Sequence, residues 1–215
     1  MKTFFTKIAV LFFAIASVCQ APSAFAQTIG AVTDADGNTY KTIKIGNQTW
    51  MMENLRTTKY NDGSSIATMT GEKSAAPAYT EHKNGSTFGN LYNWYAVKTG
   101  KLTPKGWHIP TEAEWKILEG YLGGANVAGE KLRIGNWPNN PKQNTFNLLP
   151  TGYVTYSGTY AGDRAPTAYW WASSEKTSGG SNGGECRRAY MAQPQLHWGV
   201  LMREYFVGVR CIKDK

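Results

Sequence analysis

The clearest hydrophobic pattern falls between residues 107 and 124. Trp115, Leu118 and Leu122 recur at helical spacing with Tyr121 beside them, so they mark one face of an amphipathic helix. Local chemistry marks its start. Glu114 follows Thr111 by three positions, so the hydroxyl can accept a helix-terminal N–H while the carboxylate reaches back to the N-cap. Pro110 blocks backward extension, and Gly123-Gly124 ends the helix. Asn126 is placed to cap a second helix running through Arg133. Residues 92–97, with Tyr92, Trp94, Tyr95 and Val97, read as one more short helix.

The remaining pattern predicts strands and loops. Residues 33–60 alternate roughly between apolar and polar, with turns at Asp36-Gly37 and Gly46-Asn47 and the next strand over 48–55. Asn61-Asp62-Gly63 marks another turn. Strands are also expected over 146–153, 169–174, 185–192 and 206–212, with a glycine-rich turn at 178–184. The polar segments 68–86, 134–144 and 156–167 read as loops.

The first 26 residues have a different character. Lys2 and Lys7 precede an apolar run over 8–18, too short to span a bilayer, and Ala24-Phe25-Ala26 forms a small-residue cleavage site. The expectation is a signal peptide over 1–26, with one exported domain over 27–215 and no transmembrane segment. The whole chain carries a formal charge of +8. The leader holds two of its lysines and no acid, so the remainder carries +6. Its basic residues are spread rather than clustered, which with export argues against nucleic acid. All eight tryptophans lie after the leader, which suits a fold held by aromatic packing.

Candidate chemistry is sparse. His82, His108 and His197 stand in separate segments and no zinc-ligand spacing occurs, so neither a metal nor any other cofactor is expected. His108 reads as a structural side chain bonded to backbone. Asp34, Asp36 and Gly37 resemble the start of a calcium loop, but Ile45 stands where its closing Glu belongs, so a turn is the better reading. Glu112, Glu114, Glu119 and Glu130 read as helix caps or solvated faces, and no catalytic residue is assigned. Export favours oxidation, so Cys186 and Cys211 can form a disulfide if their strands are neighbours.

Several segments resemble a known family. GWHIPTEAEW over 106–115 is similar to a segment of the formylglycine-generating-enzyme and C-type-lectin-like superfamily. The surrounding chain resembles the Fibrobacter succinogenes major paralogous domain through DADGNTYKTIKIGNQTWMMENL, GNLYNWYAV, FNLLPTGY, YWWASSE and FVGVRC. The resemblance implies an α+β, C-type-lectin-like fold with short antiparallel strands, two or three short helices and long loops. It also implies a ligand face on the loops 134–144 and 156–168, carrying Trp137, Tyr156, Tyr160 and Arg164. Formylglycine-generating enzymes use a close pair of cysteines near the chain end, and Cys186 and Cys211 are not such a pair. The expected function is therefore non-catalytic recognition of a glycan or a protein at the bacterial cell surface. The alternatives are a formylglycine-generating-type enzyme and a structural subunit of a surface assembly. Oligomeric state is not legible in the sequence.

Overall fold

The structure, a computed structural model, describes residues 29–133, 146, 148–162, 165–178 and 181–215. Strands β1 (Ile29–Thr33), β2 (Thr39–Ile45) and β3 (Gln48–Met51) form an antiparallel meander. The Asp34 carboxylate makes the first turn. It accepts the N–H groups of Asp36 and Asn38 at 2.9 Å each and the Tyr40 hydroxyl at 2.5 Å. Asp36 in turn accepts from the hydroxyls of Thr57 and Thr58, both at 3.0 Å. Both carboxylates are thus used in holding the backbone, as a turn motif requires.

The middle of the chain supplies β4 (Ala67–Thr68), β5 (Ala78–Glu81), β6 (Asn90–Tyr92), α1 (Trp94–Lys98), β7 (Trp107–His108), α2 (Glu112–Tyr121) and α3 (Ala125–Lys131). Helix α2 starts as its sequence predicts. Thr111 Oγ1 accepts the Glu114 N–H at 3.3 Å, and Glu114 Oε2 accepts the Thr111 N–H at 2.9 Å. Gly124 rather than Asn126 is the N-cap of α3, and it makes no side-chain cap bond. Its left-handed backbone, at φ +97°, suits glycine in that place.

The last third forms β8 (Tyr153–Val154), β9 (Tyr160–Ala161), β10 (Thr167–Ser178), β11 (Ser181–Tyr190), β12 (His197–Met202), β13 (Phe206–Gly208) and β14 (Ile212–Lys213). Two sheets result. One runs β1-β2-β3-β14-β7 and joins the end of the chain to its early meander. The other runs β12-β11-β10-β13-β6-β5-β4, with β8 on β13 and β9 on β8.

This architecture corrects the expected fold class. The described residues are 38% strand and 15% helix, a β-sandwich-like fold with a curled half-barrel rather than an α+β, C-type-lectin-like one. The difference has a physical source. Residues 68–86 and 156–167, expected as loops, contribute β5 and β9, and the edge strand β12 was not expected at all. Strands of two to four residues hold less than one full alternation, so their sequences carry little periodic signal. The strand expected over 146–153 reduces to a bridge between Arg133 and Leu148 and to the start of β8.

Strand β10 divides the core. Ala168, Trp170 and Ala172 face one hydrophobic cluster, and Tyr169 and Trp171 face another, as alternation along a strand buried on both faces dictates. The first cluster holds Trp50, Trp115, Trp170 and Phe146, with Trp50 and Trp115 centroids 4.9 Å apart. Arg210 is wholly buried beside them. Its guanidinium donates to Asn54 Oδ1 at 2.6 Å and to the carbonyls of Met52 and Phe146, each at 2.6 Å. Burial lowers its pKa to about 9. This many acceptors compensates much of the cost of removing the charge from water.

Candidate functional site

On the other face of β10, tyrosines from four strands converge. Tyr153 of β8, Tyr160 of β9, Tyr169 of β10 and Tyr190 of β11 line a cleft of about 540 Å³, with Thr159 and Thr167 among them. The hairpin of β8 and β9 builds one wall. Its turn is closed by Thr155, whose N–H donates to the Thr159 carbonyl at 2.9 Å and whose hydroxyl accepts the Thr159 N–H at 3.1 Å. Gly152 lets the hairpin fold back. It sits at φ +57°, and a Cβ there would stand 2.4 Å from the Ala161 carbonyl and 2.7 Å from the Tyr160 hydroxyl. Register builds the other wall. Thr167 pairs with Tyr190 and Tyr169 with Arg188, so all four side chains share one face of β10 and β11.

Ring contacts fix the walls. Tyr153 meets Tyr169 edge-on at 5.3 Å and stacks on Tyr205 at 5.4 Å. Tyr160 lies edge-on to His82 at 5.6 Å, with Lys83 Nζ 4.0 Å above its ring. The His82 ring is buried, stacked on Phe88, and its Nε2 lies 2.9 Å from the Thr151 carbonyl. Burial holds His82 below its ordinary pKa, so it is neutral at pH 7. Burial also raises the Tyr169 phenol, which therefore keeps its proton. Among the described residues, the hydroxyls of Tyr153, Tyr169 and Tyr190 have no hydrogen-bond partner. No carboxylate lies among the described lining residues. Such a cleft can stack a flat or ring-shaped ligand and hydrogen-bond it through phenols and threonines.

The loop residues expected to bind have different fates. Tyr160 lines the cleft. Tyr156 is half-buried and packs toward Tyr205 at 6.4 Å, away from the lining. Trp137 and Arg164 lie outside the described residues. The sequence reading missed Tyr153, Tyr169 and Tyr190. Tyr169 precedes Trp170-Trp171 and looks like core by composition. Only the sheet order, which sets β11 beside β10 and brings β8 and β9 across, reveals the cluster. Cys186 and Cys211 are buried free thiols in the structure. Strand β10 stands between β11, which carries Cys186, and β13, beyond which Cys211 follows. Burial pushes the Cys186 thiol up to about 12 and raises Cys211 as well.

A second titratable cluster lies at the start of α2. His108 Nδ1 is 2.6 Å from Asp214 Oδ1, and Nε2 is 2.8 Å from Glu114 Oε1. These partners are carboxylates, not the backbone groups expected for His108. Partial burial opposes the charged ring, but the two carboxylates outweigh it and raise the His108 pKa. Burial likewise opposes ionisation of Glu114, and the Thr111 and His108 bonds outweigh it and lower that pKa. With both ring nitrogens engaged, His108 acts as an ionic latch between β7, α2 and the chain end, and it has no nitrogen left to serve as a general base. Among the described residues, no group of three His, Cys, Asp or Glu could hold a metal ion. No helix there is long and apolar enough to cross a membrane.

The comparisons with known proteins are narrow. The family model described as the Fibrobacter succinogenes major domain matches residues 43–213. No curated protein and no solved structure matches the chain.

Proposed function

We propose that this chain, which belongs to the Fibrobacter succinogenes major domain family, is an exported, non-catalytic recognition domain that binds a glycan at the bacterial cell surface. The observation that carries the reading is the cleft with four tyrosines in its walls and about 540 Å³ of space. That volume suits a short saccharide. Aromatic faces stack on the apolar faces of sugar rings, and the phenols of Tyr153, Tyr169 and Tyr190 match sugar hydroxyls. The leader with Lys2, Lys7 and Ala24-Phe25-Ala26 supports export.

A glycan array probed with the mature protein, residues 27–215, tests this. The expected result is binding to a defined saccharide set, weakened about three- to tenfold by Tyr160→Ala and by Tyr190→Ala. The melting temperature of the Tyr190 variant should stay close to that of the parent. A blank array, or binding indifferent to both substitutions, contradicts the reading.

A second reading, a subunit of a surface assembly, draws on β12. This strand ends the larger sheet and exposes Val200 and Met202 beside an unpaired edge. A blank array together with a pulled-down surface protein would favour it.

A further inference from the structure

Beyond the tyrosines, the same sheet face carries two side chains, Arg188 and His197, that are not among the cleft's lining residues. Tyr169, Arg188 and His197 are register partners across β10, β11 and β12. The arm of Arg188 lies over Gly199, with Cδ and Nε 3.8 and 3.9 Å from where a Cβ would stand there. The guanidinium sits 5.6 Å from the centroid of Tyr190, a cleft residue, and the His197 ring meets the same tyrosine at 5.5 Å.

Two polar atoms in this row are buried without a partner, Arg188 Nε and His197 Nε2. Among the described residues Arg188 makes no ion pair. Its neighbour in sequence, Arg187 on the opposite face, has buried nitrogens without a partner as well, but it is ion-paired with Glu119. The charges acting on His197 are both cationic, Arg188 and Arg187. A buried donor left without an acceptor is costly, and natural structures rarely carry one without a use. The tyrosine walls thus adjoin a cationic side chain that has no ion-pair partner among the described residues.

We infer that the cleft takes an acidic saccharide, whose carboxylate or sulfate docks on Arg188 and His197 while its rings lie along Tyr169 and Tyr190. This rests on the glycan reading and narrows it to a ligand class. Arginine suits the task because its planar fork can pair with two oxygens of one anion.

The experiment uses an array holding uronate, sialylated and sulfated glycans beside their neutral counterparts, with affinities of the hits measured for the parent, Arg188→Gln and Arg188→Lys. The expected result is binding of acidic glycans about tenfold or more above their neutral partners. Raised salt should erode that preference. Arg188→Gln should abolish the preference and Arg188→Lys should restore part of it. Uronate hits against sulfated hits identify which anion is bound. If neutral glycans bind equally well through the tyrosines, the acidic inference falls and the glycan reading stands. If no glycan binds, both fall. Should Arg188→Gln melt early, the acid-to-neutral ratio of the parent alone still decides.

Discussion

At the residue scale, the polar side chains of this protein divide into those spent on structure and those left open. Arg210 and Asp34 are spent: each satisfies several backbone groups that no neighbouring strand reaches. His108 is spent as well, and its use is pH-dependent. Its folded-state pKa is raised, so its stabilisation is complete below the unfolded value of about 6.5 and is lost as pH rises through the folded value. Glu114 has the opposite sign. Its pKa is lowered, so its contribution is present above about 4.3 and is lost as acid drives protonation through the folded value. The melting temperature should therefore fall on both sides of a plateau, and His108→Gln should flatten the alkaline side. Thermal melts from pH 2 to 9 check this, and an unchanged alkaline limb in the variant would remove the latch.

At the element scale, legibility followed how local the information is. Helix α2 was readable because Thr111, Glu114 and the glycine pair after Leu122 lie within one short segment, and the capping bonds form between near neighbours. Thr111→Ala should cost about 1 kcal/mol through one lost N-cap bond. Trp115→Ala should cost about 3–5 kcal/mol, because the ring is wholly buried between Trp50, Trp170 and Phe146. Urea melts giving equal and negligible losses would show that α2 does not anchor the core. Strands β4, β7, β8, β9 and β14 were not readable. Each has two residues and exists only through its pairing, with a distant strand for β7, β8 and β14 and with a nearby one for β4 and β9. The second expected helix formed as α3, but Gly124 and not Asn126 caps it, for a related reason. Its entry is set by the packing of Gly129 against the Pro194–Gln195 backbone, where a Cβ would stand 2.2 Å from the Gln195 carbonyl.

At the scale of the whole molecule, sheet order turns scattered aromatics into a site. Tyr153, Tyr160, Tyr169 and Tyr190 belong to four strands, and nothing in their spacing brings them together. Of the residues expected to bind, Tyr160 lies in the cleft wall and Tyr156 does not, while Trp137 and Arg164 lie outside the described residues. The expected lectin-like architecture failed at this same scale. The segments that carry the resemblance describe turns, caps and buried strands, and those do not determine how sheets are layered.

The most direct test of recognition through the tyrosine cleft is NMR of the mature protein with its tyrosines isotopically labelled, titrated with the strongest glycan from the array. The account predicts that the ring signals of Tyr153, Tyr160, Tyr169 and Tyr190 shift together and saturate at one dissociation constant, while Tyr40 and Tyr92, buried in the core, stay in place. Bound glycan with all four cleft tyrosines unmoved would contradict it.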